Sequence, residues 1–107
     1  MAWVGTVHSN HAGAAGLYPA MAMRRGLISM YLAVANANGM PPWGGIERIL
    51  GTNPIAVAIP GDDDGFQLDI ATTVASHGTI KVVAQAGEEM PEGRVVDADG
   101  NPITDPA

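Results

Sequence analysis

Residues 53–70 read Asn53-Pro54-Ile55-Ala56-Val57-Ala58-Ile59-Pro60-Gly61-Asp62-Asp63-Asp64-Gly65-Phe66-Gln67-Leu68-Asp69-Ile70. Asn53-Pro54 opens an apolar run, Pro60 closes it, Gly61 to Gly65 is an acidic turn, and a second strand-like run resumes from Phe66 to Ile70. Two such runs with turn chemistry between them predict an antiparallel hairpin. The fold class that follows is α/β, with a mixed, largely antiparallel sheet and helices packed against it.

Upstream of the hairpin, Leu27 to Ala35 is continuously apolar without clear alternation, which predicts a strand buried on both faces. Before it, Gly13 to Arg25 repeats small and apolar residues (Ala14, Leu17, Tyr18, Met21, Ala22) at helical spacing, with Arg24 and Arg25 in the last turn and Gly26 as the stop. Pro19 is compatible with this helix if it lies in the first turn. Ala2 to Val7 is short, apolar and β-prone and reads as another strand. Asn36 to Gly45, with Asn-Ala-Asn-Gly and Pro41-Pro42-Trp43-Gly44-Gly45, is too rich in Pro and Gly for anything but a shaped loop.

Downstream, Thr72 or Thr73 is placed to cap a helix running to Gln85, with Val74, Ile80, Val83 and Ala84 as apolar positions and Gly87 at its end; Gly78 weakens it. Glu88 to Ala107 contains Met-Pro-Glu-Gly, Asp-Ala-Asp-Gly and Asn-Pro turns around Val95-Val96 and reads as an irregular surface excursion. A chain that opens in a strand and closes in such a loop is expected to be one partial domain, residues 1–107, of something larger.

Composition narrows the function. The 107 residues carry five Lys or Arg against eleven carboxylates, a formal net charge of −6, so no basic stripe exists to neutralise phosphates and nucleic acid is not an expected partner. Glu47 is the only carboxylate before Asp62, which leaves the N-terminal half able to accept an anionic ligand. The absence of cysteine removes disulfides, zinc thiolates and thiol nucleophiles and fits a reducing compartment. No apolar run reaches the roughly 18 residues of a membrane span, and the expected location is cytoplasmic.

Chemistry concentrates in Val7-His8-Ser9-Asn10-His11-Ala12-Gly13, where a strand is expected to hand over to a helix. Imidazole exchanges protons near neutral pH, which suits oxidation of an alcohol carbon or reduction of a carbonyl. A histidine in a turn is also commonly a plain surface group. His8 and His11 have the spacing of a metal pair, but no carboxylate lies nearby to complete it, and no metal is expected. Asp97-Ala98-Asp99-Gly100-Asn101 resembles a calcium loop only superficially, because its Gly comes too early and no closing Glu follows. Ser9 lacks the small flanking residues of a nucleophile elbow, which argues against a serine hydrolase. Trp43 either paves a ligand pocket or packs its own loop, packing being the simpler expectation. No G-x-G-x-x-G or Walker loop occurs.

Four segments, in order along the chain, resemble motifs of the malate/L-lactate dehydrogenase family of the second type, which also includes ureidoglycolate and sulfolactate dehydrogenases. Ser9-Asn10-His11 with Gly13 is similar to its catalytic Ser-Asn-His-aromatic-Gly motif. Pro41 to Gly45 with Gly51-Thr52-Asn53-Pro54 resembles its Pro-Trp-Gly-Gly and Gly-Thr-Asn-Pro pair, and Asp69-Ile70-Ala71-Thr72-Thr73 its Asp-Met-Ala-Thr-Ser motif. Met90 to Gly93, with Asp97, Gly100 and Thr104-Asp105-Pro106, matches its downstream loop. Ala12 stands where many members have an aromatic residue, and Thr73 where many have Ser.

The resemblance implies hydride transfer between NAD or NADP and a 2-hydroxy or 2-oxo acid, such as malate or lactate, on a non-Rossmann fold. It implies His11 as the proton carrier, Ala35, Asn36, Asp69, Ile70 and Ala71 as cofactor-contacting residues, and Asn53 as a substrate-binding residue. Read from the residues alone, Asp69 serves equally as a helix cap and Asn36 and Asn53 as turn or strand-start residues. Family members are much longer, so this chain resembles their central, cofactor-binding part, and the complete protein is expected to be a homodimer. The alternative is a nonenzymatic remnant that keeps the fold and a partner surface.

Overall fold

The computed structural model describes residues 1–35 and 38–106. Helix α1 (Leu17–Met23) is followed by strands β1 (Ser29–Leu32), β2 (Ile55–Ile59) and β3 (Phe66–Ile70), helix α2 (His77–Ala86), and the short strands β4 (Val95–Val96) and β5 (Pro102–Ile103). The first three strands form one sheet in the order β1-β2-β3, antiparallel throughout. The hairpin read from residues 53–70 is therefore present, with Ile59 opposite Phe66 and Ile55 opposite Ile70.

The register sorts the sheet into two unlike faces, because residues directly opposite one another point to the same side. One face carries Ser29 and Tyr31 of β1, Ala56 and Ala58 of β2, and Gln67 and Asp69 of β3. Helix α1 packs against β1 and β2, and it meets the sheet through this face, where Tyr18 stacks on Tyr31. Ala56 and Ala58 are completely buried there, and Ala15, Pro19 and Ala20 are buried on the helix side. Small residues on both surfaces let helix and sheet approach closely, and Pro19 sits in the first turn, where its missing N–H costs no hydrogen bond.

The opposite face is apolar at every position: Met30, Leu32, Ile55, Val57, Ile59, Phe66, Leu68 and Ile70. Met30 and Phe66 are more than half exposed, at 56% and 53%. The accessible surface is 8387 Å², against about 5,600 Å² for a self-contained folded chain of this mass. The radius of gyration is 16.6 Å, against about 13 Å for a compact domain of this length.

Several elements differ from the sequence reading. Ala2 to Val7 forms no strand: it is exposed throughout and pairs in no ladder with the described residues. The strand expected over Leu27–Ala35 shortens to Ser29–Leu32 and is covered on one face only. Helix α1 begins at Leu17 rather than Gly13, since the preceding residues are engaged in loop contacts described below. Helix α2 is capped not by Thr72 or Thr73 but by Ser76, whose Oγ accepts the Thr79 N–H at 3.0 Å, and it ends at Gly87 as expected. The tail is not irregular: β4 and β5 pair across a turn in which Asp97 accepts the Asp99 and Asn101 N–H groups, and Met90 is buried beside it. Trp43 does not pack its loop; it is fully exposed on the turn closed by the Gly45 N–H to Pro42 carbonyl bond.

Candidate active site

Antiparallel pairing brings the end of β1, the start of β2 and the end of β3 to the same end of the sheet, where Gly51-Thr52-Asn53-Pro54 and Asp69-Ile70-Ala71-Thr72-Thr73 meet the stretch that leaves β1. Asn53 takes a left-handed φ of +34°, which Asn tolerates better than most side chains. Its Oδ1 accepts the Ala35 N–H at 2.9 Å, across the gap between the β1 exit and the β2 entry. On the other side, the Thr72 N–H donates to the Thr52 carbonyl at 2.9 Å, and the Thr72 hydroxyl donates to the carbonyls of Thr52 (3.0 Å) and Asn53 (3.2 Å). Ala35, Asn53, Ile70 and Ala71 are thus drawn into one half-open cluster. Asn36 lies outside the described residues.

Asn53 is half-buried, and its Oδ1 is already engaged. Among the described residues, its amide nitrogen has no acceptor, so the cluster retains an N–H₂ donor suited to a carboxylate or carbonyl oxygen. Ile70 and Ala71 are exposed beside it and add an apolar rim.

Asp69 has a structural part alongside the cofactor contact that the resemblance implies. Its Oδ2 accepts the Gly16 N–H at 2.7 Å, while the Gln67 side-chain amide donates to the Gly16 carbonyl at 3.1 Å. Two neighbouring side chains on one face of β3 therefore grip both ends of a buried glycine at the start of α1, satisfying an otherwise orphaned helix-end N–H. A Cβ at residue 16 would lie 2.8 Å from Gln67 Nε2 and 2.9 Å from Asp69 Oδ2, so the close approach requires glycine. Sequence reasoning passed over Gln67; its placement two residues before Asp69 on a strand was the available signal.

The same grip ties the strand-end cluster to the histidine loop that precedes α1. His11 is exposed, and its Nδ1 accepts the Gly13 N–H at 2.9 Å. A neutral imidazole held this way carries its proton on Nε2, leaving an N–H donor directed away from the loop backbone. His8 is also exposed and takes a φ of +55°. Among the described residues no three His, Cys, Asp or Glu side chains group as metal ligands. Among the described residues no helix is long and apolar enough to cross a membrane.

The comparisons with known proteins agree on one relationship. Residues 1–107 match the sequence model of malate/L-lactate dehydrogenase. The chain is 44% identical over 105 residues to the L-sulfolactate dehydrogenase of Methanocaldococcus jannaschii, covering 97% of this chain and 30% of that protein. It is 45% identical over 100 residues to the malate dehydrogenase of Pyrococcus horikoshii, covering 91% of this chain and 27% of that one. A crystal structure of a dehydrogenase from Sinorhizobium meliloti superposes with a TM-score of 0.83 at 40% identity, over 91% of this chain and 28% of that chain. The chain thus spans about a third or less of the length of the relatives it matches, and it belongs to the malate/L-lactate dehydrogenase family.

Proposed function

We propose that these residues are the central, cofactor-binding part of a longer, cytoplasmic dehydrogenase that passes a hydride between NAD or NADP and a 2-hydroxy or 2-oxo acid such as malate or lactate. The reading includes a nucleotide site of non-Rossmann type and a homodimeric complete protein. Its single strongest support is convergence: Gly51-Thr52-Asn53-Pro54 and Asp69-Ile70-Ala71-Thr72-Thr73, each resembling a motif of one family, are tied by hydrogen bonds at one end of one sheet to each other, to Ala35 and, through Gly16, to the helix start behind the histidine loop.

The donor set at that end fits such ligands. Asn53 offers an uncommitted amide donor to the acid, Ile70 and Ala71 offer an apolar rim to a flat ring, and the N-terminal half has little negative charge to repel an anion. The dinucleotide, when bound, supplies or accepts the hydride. His11 handles the proton. In the neutral form its Nε2–H orients a substrate carbonyl, and the imidazolium form delivers a proton from Nε2 as the carbonyl is reduced. Protonation of Nδ1 and its acceptance of the Gly13 N–H are mutually exclusive, so the loop releases that bond when the imidazole is charged; delivery from Nε2 leaves a proton on Nδ1, and the bond returns once Nδ1 gives that proton to solvent and Nε2 takes one back.

His11→Asn in the complete dehydrogenase tests the reading. Turnover should fall by roughly the 10²–10⁴ that general acid–base catalysis supplies, with cofactor affinity little changed. His8→Asn should be milder. Near-normal turnover in a folded His11→Asn enzyme would refute the assignment.

A further inference from the structure

We propose that Tyr18 is a positioning residue for the His11 imidazole, acting through the peptide unit between Ala12 and Gly13; the inference rests on the reading of His11 as the proton carrier. The Tyr18 hydroxyl donates to the Ala12 carbonyl at 2.6 Å. The N–H of that same peptide unit, on Gly13, donates to His11 Nδ1 at 2.9 Å. A trans peptide is planar, with its C=O and N–H pointing in opposite directions. Fixing the oxygen therefore fixes the direction of the N–H, and the N–H fixes the ring. Tyr18 reaches His11 without touching it.

The plane would otherwise be free to turn. Gly13 has a φ of +82°, with nothing within 4 Å of where a Cβ would lie, so the chain can rotate there at little steric cost. Both bonds are exposed, and a single water-competed N–H to imidazole contact would be weak alone. The tyrosine supplies a fixed reference. Its ring stacks on Tyr31 at a centroid distance of 4.7 Å and an interplanar angle of 13°, and Tyr31 is held on the sheet face opposite the completely buried Ala56. At the other side of Tyr18, the Gly16 grip by Gln67 and Asp69 anchors the start of α1. The orientation of His11 is in this way referred to β1 and β3, although the loop that carries it belongs to no element.

The hydroxyl also decides which nitrogen of His11 faces solvent. With the Gly13 N–H aimed at Nδ1, the neutral ring keeps its proton on Nε2, the tautomer that presents a donor to a carbonyl. Release of the peptide plane mixes the tautomers and the ring orientations.

Tyr18→Phe is the decisive variant, because it keeps the ring and its stack and removes only the donor. In the ¹⁵N-histidine spectrum of the 107-residue chain, His11 should show the Nε2–H tautomer, and Tyr18→Phe should shift it toward a mixture while His8 stays unchanged. In the complete dehydrogenase the same change should raise the KM for the 2-oxo acid roughly three- to tenfold, because the neutral Nε2–H form is the one that orients its carbonyl, with the KM for the dinucleotide unaltered. An unchanged His11 tautomer in Tyr18→Phe overturns the proposal. Loss of amide dispersion in that variant overturns it too, since the hydroxyl would then hold the domain rather than the imidazole. The tautomer measurement needs no turnover, so a normal rate in His11→Asn would remove the catalytic reading and still leave the orienting role to be judged by the spectrum.

Discussion

Gly16→Ala isolates the contact that joins the histidine loop to the sheet. Gly16 has φ −65° and ψ −17°, where alanine is fully at home, so backbone considerations alone forecast a gain of about 0.4–1 kcal/mol from a less flexible unfolded chain. The surroundings reverse the sign. The added Cβ would lie 2.8 Å from Gln67 Nε2, 2.9 Å from Asp69 Oδ2 and 3.1 Å from Asp69 Cβ. The Gln67 amide can swing aside, but Asp69 Cβ is fixed to β3, so the helix start must move. Losing the charge-assisted Asp69 bond and the Gln67 bond costs about 2–4 kcal/mol, and subtracting the entropic gain leaves a net loss of about 1–3 kcal/mol. Urea denaturation followed by circular dichroism measures it. A second measurement separates lost bonds from propensity: Asp69→Ala keeps the Cβ but removes in advance the Oδ2 contact and its charge-assisted bond, so Gly16→Ala should cost clearly less there, giving a non-additive cycle. A neutral or stabilising Gly16→Ala, or a strictly additive cycle, would refute the close approach.

Two further outcomes follow from local geometry. Ser76→Ala removes the side chain that accepts the Thr79 N–H at the start of α2 and should cost about 1 kcal/mol, read as a lower denaturation midpoint, whereas Thr73→Ala should leave the helix start unaffected. The Asn101 side-chain amide, then the Asn101 N–H and those of Asp99 and Gly100, hold the Asp97 carboxyl below its ordinary value. A depressed folded-state value means that the contribution of this turn is fully present above the ordinary carboxylate range and is lost as pH falls through the lowered one. Asn101→Ala should move the Asp97 midpoint upward in an NMR titration, and an unmoved midpoint would count against the assignment.

The hairpin was legible because its punctuation is local: Pro60 and the Gly61–Gly65 turn stop one strand and start the next. Ala2 to Val7 misled for the opposite reason, since β-propensity describes how a residue fits a ladder and cannot provide the partner strand. The cap of α2 was misplaced by a few residues because Thr72 and Thr73 have the right chemistry but other partners, Thr72 on the carbonyls of Thr52 and Asn53 and Thr73 on that of Ala75. At the site, the motifs named the segments but not what their side chains do. Asp69, which the resemblance implies as a cofactor contact, also accepts a backbone N–H from 53 residues away, a bond that no motif announces. The Tyr18 contact depends on the orientation of one peptide plane, which no residue pattern encodes.

The two faces of the sheet explain why a site can be organised on a chain this incompletely covered. On the α1 side, alanines and a proline bring helix and sheet close enough for short polar side chains to span the gap, and the contacts that anchor the start of α1 and Tyr18 to the sheet cross there. Their geometry depends on backbone-to-backbone spacing rather than on a large core. The other face carries only apolar side chains, several of them about half exposed, and contributes to a surface some 2,800 Å² above the scaling value, estimated from mass alone. Soluble monomers seldom expose contiguous apolar patches much beyond about 600 Å². A sheet packed by a helix on one face and apolar at every position of the other belongs in the middle of a layered structure, and in the proposed longer dehydrogenase the second layer would come from polypeptide outside these residues. The division has a mechanical consequence: cover laid on the far face would meet the site only at its Ile70 rim, and by stiffening β1 and β3 it would act through Tyr31, Gln67 and Asp69 on the loop that holds His11.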